Sequence, residues 1–243
     1  MKKIKIKTNK NSRLFFVGDI HGHFDIFNFA LKSIGIKKDD TIVSVGDLID
    51  RGDKNIECLS YFLHAKNAYA VRGNHEDMAI KGNVYNMRRD HLLWMQNGGD
   101  WALNYNDEFI KGIFEQVNKT FPYLIEVNHE GKKFGVCHAE FPKNNWKSSI
   151  QPSDYKDLIW RRNESRKEKS DRIVKNVDYL IHGHSIFKEP KILGNQQWID
   201  TGVYRDAGMF DGYGLTIAEY YNGKFIYHKF FKDHLSPSGF IHS

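Results

Sequence analysis

Three short signatures in the first third of the chain constrain it more than any other feature. They read Gly18-Asp19-Ile20-His21-Gly22, Gly46-Asp47-Leu48-Ile49-Asp50-Arg51-Gly52 and Arg72-Gly73-Asn74-His75-Glu76. Each follows an apolar, β-branched or aromatic run: Leu14-Phe15-Phe16-Val17, Thr41-Ile42-Val43-Ser44-Val45 and Ala68-Tyr69-Ala70-Val71. Short runs of this kind read as buried strands. Two later stretches repeat the pattern, Phe134-Gly135-Val136-Cys137-His138 and Tyr179-Leu180-Ile181-His182-Gly183-His184. Five strands therefore end in carboxylate, imidazole or amide side chains. Oxygen and imidazole donors without thiolate suit Mn, Fe or Zn rather than a structural zinc cluster. Gathered together, such a set can assemble a dinuclear metal site.

The segments between the signatures carry helical spacing. Phe24, Phe27, Ala30, Leu31 and Ile34 predict a helix over Phe24–Ile34 that ends at Gly35. A second helix is expected from residue 53 or 54 to 65. The opening is thus strand–helix–strand–helix–strand, which predicts an α/β fold. Residues 78–121 show no strand run and read as a helical insertion, with helices expected over 88–96 and 107–118 around Gly98-Gly99. Trp94, Trp101 and Tyr105 are expected to form its small core. Strand patterns then return as a hairpin, 123–128 and 133–137 about a His129-Glu130-Gly131 turn. They recur at 197–199, 215–221 and 224–231, where Asn222-Gly223 is a two-residue hairpin turn. This β-rich second half favours a layered sandwich over a purely parallel sheet.

At 243 residues and 40% hydrophobic, the chain suits one domain spanning 1–243 and burying roughly 70–75% of its unfolded surface. The net charge of +6 suits an anionic substrate. The basic run 161–172 is interleaved with Glu164, Glu168 and Asp171, so a solvated helix or loop is expected there and nucleic acid is not an expected partner. Cys58 and Cys137 are expected to be free thiols in a reducing, cytoplasmic protein, with Cys137 a buried strand residue rather than a nucleophile. Met1-Lys2-Lys3-Ile4-Lys5-Ile6-Lys7 lacks a signal-peptide core and alternates like an edge strand with an exposed lysine face. No apolar stretch reaches transmembrane length. An active monomer is compatible with everything in the sequence.

The five motifs together resemble the phosphoprotein phosphatase family of metallophosphoesterases, particularly its small bacterial and bacteriophage serine/threonine members. The resemblance runs from residue 18 to 184, and the intervals of about twenty-seven residues between the first three motifs make it specific. It implies the calcineurin-like fold, a layered α/β/β/α sandwich with the helical insertion beside the active site. It implies two divalent ions, Mn for activity, with Fe or Zn able to satisfy the same ligands. Asp19 and His21 would hold the first, Asp47 would bridge both, and Asn74, His138 and His184 would complete the second. His75 would be the general acid, oriented by Asp50, and Arg51 would grip the phosphate. A second phosphate arginine is expected after a tryptophan. Trp160-Arg161-Arg162 offers two, and the family spacing favours Arg162. His182, His23 and Glu76 would support the site from behind or lie at its surface, with Glu76 bonding to the general acid. His64, His91, His129, His228, His234 and His242 lack matching context and are expected at surface or structural positions.

The activity so implied is hydrolysis of phosphoserine or phosphothreonine monoesters in proteins or peptides, with phosphotyrosine also compatible, by attack of a metal-bridging hydroxide. The related symmetrical dinucleoside tetraphosphatases share the motifs. They usually carry a small residue where Asp50 stands and Asp where Glu76 stands, so both residues favour the protein phosphatase. Selectivity would come from the insertion and from the loop at Tyr204 and Arg205.

Overall fold

The computed structural model describes residues 3–9, 12–206 and 211–235. Met1, Lys2 and His242, on which expectations were placed, lie outside these. Two sheets pack face to face. The first contains β2 (Leu14–Val17), β3 (Thr41–Ser44), β4 (Ala68–Ala70), β10 (Leu215–Tyr221) and β11 (Lys224–Phe230) in the order β11-β10-β2-β3-β4. The second has the order β1-β5-β6-β7-β9-β8, built from β1 (Ile4–Lys7), β5 (Ile125–His129), β6 (Lys132–Val136), β7 (Tyr179–His182), β8 (Lys191–Leu193) and β9 (Gln196–Trp198). β2, β3 and β4 are parallel, and so are β6, β7 and β9. Their C-terminal ends carry every one of the motifs.

Alternation along each strand builds the layers. Phe15 and Val17 turn to the helices, whereas Leu14 and Phe16 turn to the other sheet. Phe16, Phe134, Tyr179, Tyr220 and Phe225 knit the two sheets together, with Phe134 and Tyr220 centroids 4.7 Å apart. Burying each such ring stabilises the fold by ~1.5–3 kcal/mol. On the outer face of the first sheet lie α1 (Phe24–Ile34), α2 (Asn55–His64), α3 (Asn74–Asn83), α4 (Arg88–Gln96) and α5 (Asp107–Thr120). The fourth layer is thin. Among the described residues, α6 (Tyr155–Trp160) and loops bearing Phe141, Trp146 and Val174 cover the second sheet.

α1 has the expected bounds, and Gly35 ends it at φ 65° with its N–H donating to Leu31 and Lys32 carbonyls. β1 is the expected edge strand, with Ile6 buried and Lys5 and Lys7 exposed. The helical stretch begins earlier than expected, because α3 starts at Asn74 inside the third motif. The β5–β6 turn has two residues rather than three. His129 pairs with Lys132, and Glu130 and Gly131 take φ 47° and 75°. β9 falls on the strand run expected at 197–199, starting one residue earlier, whereas its hairpin partner β8 had no sequence signal, since a three-residue strand shows no measurable period. The 161–172 run is not a solvated helix. Leaving aside Arg161 and Arg162, it is a loop pinned by the buried Glu140, whose carboxylate accepts the N–H groups of Glu164 and Ser165. No helix among the described residues is long and apolar enough to cross a membrane.

Candidate metal centre

The loops that follow the parallel strands are held in conformations that most side chains avoid. His21, Asp47, Asp50, Arg51 and His184 all have positive φ, between 48° and 74°. Left-handed backbone at a non-glycine residue costs ~1–3 kcal/mol and persists only where surroundings over-determine it. Here the fastening is visible. Ile20 and His21 N–H groups both donate to the Asp47 carbonyl, and Gly22 N–H donates to Leu48. Glu76, fully buried, accepts from the N–H groups of Asp47, Leu48 and Gly73 at 2.7–3.0 Å. Glu76 therefore braces the Asp47 loop, not the His75 ring as expected. Burial and the nearby Asp47 charge push its carboxyl up to about 7.

Gly73 lies so close to this loop that a Cβ there would stand 2.5 Å from Asp47 N and clash with its carboxylate. Gly73→Ala should therefore destabilise the fold by ~1–3 kcal/mol, the usual effect of overpacking. Urea titration would read this, and a change under ~0.5 kcal/mol would contradict the close approach.

Among the described residues, two groups of side chains could each hold a metal ion: His21, Asp47 and His75, and Asp47, His138 and His184. Asp47 belongs to both. His21 spends its Nδ1–H on the Ile49 carbonyl at 2.9 Å, and His138 spends its own on Val45 O at 2.7 Å. Each ring therefore turns Nε2 inward. His138 Nε2 lies 2.9 Å from Asn74 Oδ1 and 3.2 Å from Asp47 Oδ2. Three acceptors cannot converge this way unless a second proton on His138 or a cation separates them, so the donor set fits a metal ion. His184 donates Nε2–H to the Trp160 carbonyl and its Nδ1 faces an Arg162 N–H at 3.5 Å, while burial pushes its pKa down to about 2.

Asp19 falls outside both groups. Its carboxylate takes the His184 N–H and presses on Gly183. Burial and the repulsion of Asp200 and Asp47 raise it well above the carboxylate range. Burial would raise Asp47 too, but His138, His75 and His21 hold it well below that range. Asp200 was missed in the sequence. It directly follows the 197–199 run, as Asp19 follows its own strand after one glycine. Burial and Asp47 push it up to about 6.

Within the first group, His75 Nδ1 donates to Asp50 Oδ2 at 2.6 Å. Trp94 and Trp101 also donate their indole N–H groups to the Asp50 carboxylate, at 3.0 and 2.7 Å. These tryptophans are thus a brace as well as the small core expected. Arg51 donates to His21 Nε2 at 2.8 Å and stacks 4.1 Å above the Tyr204 ring. Arg161 is committed to Asp157 and Glu140, whereas Arg162 reaches the His184 carbonyl at 3.1 Å. Cys137 is buried, as expected, and burial raises its thiol well above the ordinary value. His182 contacts Cys137 and stacks on Trp198, away from the two groups.

The family model of the calcineurin-like phosphoesterases matches residues 12–188. The chain belongs to that family. It is similar to serine/threonine-protein phosphatase 2 of Escherichia coli, 29% identical over 203 residues, covering 82% of this chain and 91% of that protein. A symmetrical bis(5'-nucleosyl)-tetraphosphatase of Actinobacillus succinogenes is 26% identical over 71% of this chain and 64% of its own length. The fold superposes on the crystal structure of a candidate diadenosine tetraphosphatase with a TM-score of 0.67 at 18% identity, covering 95% of this chain and 100% of that one. The two-sheet architecture of the calcineurin-like phosphoesterases is thus the architecture seen here.

Proposed function

We propose that this phosphoesterase is a metal-dependent protein phosphatase acting on phosphoserine and phosphothreonine monoesters, with phosphotyrosine compatible. The observation that carries the reading is the His75–Asp50 pair, held by two indole donors at the edge of the metal groups. An alkoxide leaving group needs a proton, and a histidine oriented by a buried carboxylate can deliver one. The similarity to named serine/threonine phosphatases supports the same reading. The reading includes a single domain over 1–243, cytoplasmic placement and activity as a monomer.

In it, Asp19, His21 and Asp47 would hold one ion, and Asp47, Asn74, His138 and His184 the other, with Mn the expected activating metal. Two divalent ions so placed would polarise the phosphoryl oxygens and supply hydroxide near neutral pH. Arg51 and Arg162 would bind non-bridging phosphate oxygens with their planar forks. His75 would protonate the leaving oxygen from Nε2, its Nδ1–H kept on Asp50. Arg51→Ala should weaken inhibition by free phosphate roughly tenfold, about the worth of one charge-assisted hydrogen bond; an unchanged inhibition constant would contradict its role.

The second reading is a symmetrical dinucleoside tetraphosphatase, favoured by the similarity to enzymes of that name. The two part in one experiment. Metal-stripped protein plus Mn is given an equimolar mixture of phosphoserine peptide and diadenosine tetraphosphate, both followed by mass spectrometry. Faster loss of the peptide phosphate is expected. Preferential cleavage to two ADP would transfer the chain to the nucleotide branch.

A further inference from the structure

An open cavity of about 510 Å³ lies against the outer side of the candidate centre, lined by Lys156, Asp157, Trp160, Arg161, Arg162 and Arg166 among others. Arg162 is its common wall with the site, since the same guanidinium reaches the His184 carbonyl. Trp160 joins it there, its ring set edge-on to His184 at 5.9 Å and its carbonyl accepting from His184. The six residues carry four positive charges and one negative. Arg161 is neutralised by Asp157 and Glu140. Lys156 and Arg166 are exposed and have no ion pair among the described residues. Burial disfavours the Arg162 charge, and the nearby Arg166 disfavours it further. Lys156, Arg162 and Arg166 thus leave the cavity with a positive lining, in which Arg162 and Arg166 repel each other.

We propose that this cavity is an anionic subsite that reads a second negative group on a phosphopeptide, beside the phosphorylated residue. It rests on the protein phosphatase reading above. An extended chain advances ~3.3–3.6 Å per residue, so an acidic or phosphorylated side chain two or three residues from the scissile phosphate falls on the far side of Arg162. Trp160 packs against two hydrophobic clusters, so its indole is a wall of the groove rather than a free face for a nucleobase. The open shape suits an extended backbone better than an enclosed nucleotide.

The test uses the Lys156→Glu/Arg166→Glu double variant, which leaves the metal groups, His75, Asp50, Arg51 and Arg162 intact. Wild type and variant, loaded with Mn, are compared on nitrophenyl phosphate, on a phosphoserine peptide with neutral flanks, and on the same peptide with acidic flanks. Wild type should show roughly 3- to 10-fold higher kcat/KM for the acidic peptide at low salt, shrinking at high salt as partly exposed charges do. The variant should lose that preference and keep nitrophenyl phosphate turnover. Equal rates for the two peptides in wild type, or an unchanged preference in the variant, would overturn the subsite. If nitrophenyl phosphate is turned over and neither peptide is, the phosphatase reading has failed. Fluorescence anisotropy of the same labelled peptides then decides the subsite alone: tighter binding of the acidic peptide to wild type only upholds it, and equal binding overturns it.

Discussion

Replacing Asp47 with asparagine is expected to abolish hydrolysis of every substrate and to flatten the rise in melting temperature that Mn gives the parent protein. Asp47 is the one side chain common to both candidate metal groups, so its charge is lost to both ions at once. An ion present at a hundred times its dissociation constant stabilises the folded state by ~2.7 kcal/mol. At this chain length each kcal/mol moves the melting temperature by about 2–4 °C, so one ion should raise it by roughly 5–10 °C. The metal-free variant should melt within about 4 °C of the metal-free parent. It loses attraction to His138, 3.2 Å away, and it also loses repulsion with Asp19 and Asp200. Calorimetry with and without Mn, beside a turnover assay, reads both effects. A full metal-dependent shift with activity retained would remove Asp47 from the bridging position.

Much of the fold was legible because its strongest elements obey local rules. Phe24, Phe27, Ala30, Leu31 and Ile34 mark one face of α1, and Asn222-Gly223, at φ 48° and 80°, forces a tight hairpin. The illegible elements depend on partners far away in sequence. β8 is three residues long and exists because β9 lies beside it, fixed in turn by the more distant β7 along Gln196–Trp198. The loop that follows α6 looks like a solvated charged face, yet Glu164 and Ser165 are buried because Glu140, some two dozen residues earlier, caps their backbone.

Within the candidate site, the side chains of the two groups that could hold a metal ion were readable, because carboxylates and imidazoles recur at strand ends in the sequence. Their supports were not. Nothing in Arg72-Gly73-Asn74-His75-Glu76 says that Glu76 turns back to the Asp47 loop; only the fold, by setting α3 against that loop, makes its three hydrogen bonds possible. Trp94 and Trp101 look like ordinary aromatic core, and their indole N–H groups find Asp50 only in three dimensions. Asp200 had a signal that went unused, the same strand-then-carboxylate pattern that marks Asp19.

That brace leads to the second large effect. His75→Asn should lower kcat on a phosphoserine peptide by roughly 10²–10⁴-fold, the contribution of a positioned general acid, while leaving metal content unchanged. The loss should nearly vanish on nitrophenyl phosphate, whose leaving group needs no proton. His75 Nε2 also lies 3.9 Å from Asp47 Oδ2, within one of the metal groups, so a ligand role makes a contrary prediction: metal is lost, and all substrates suffer alike. Trp101→Phe separates the two further. It removes the 2.7 Å donor from Asp50 without touching either metal group. A hydrogen bond to a charged group contributes ~1.5–3 kcal/mol, so its loss should loosen the His75–Asp50 pair and lower peptide turnover by roughly tenfold or more. If His75 is the acid, this smaller loss follows the same dependence on leaving group as the His75→Asn loss. If His75 serves only as a ligand, Trp101→Phe should change every substrate equally or none at all.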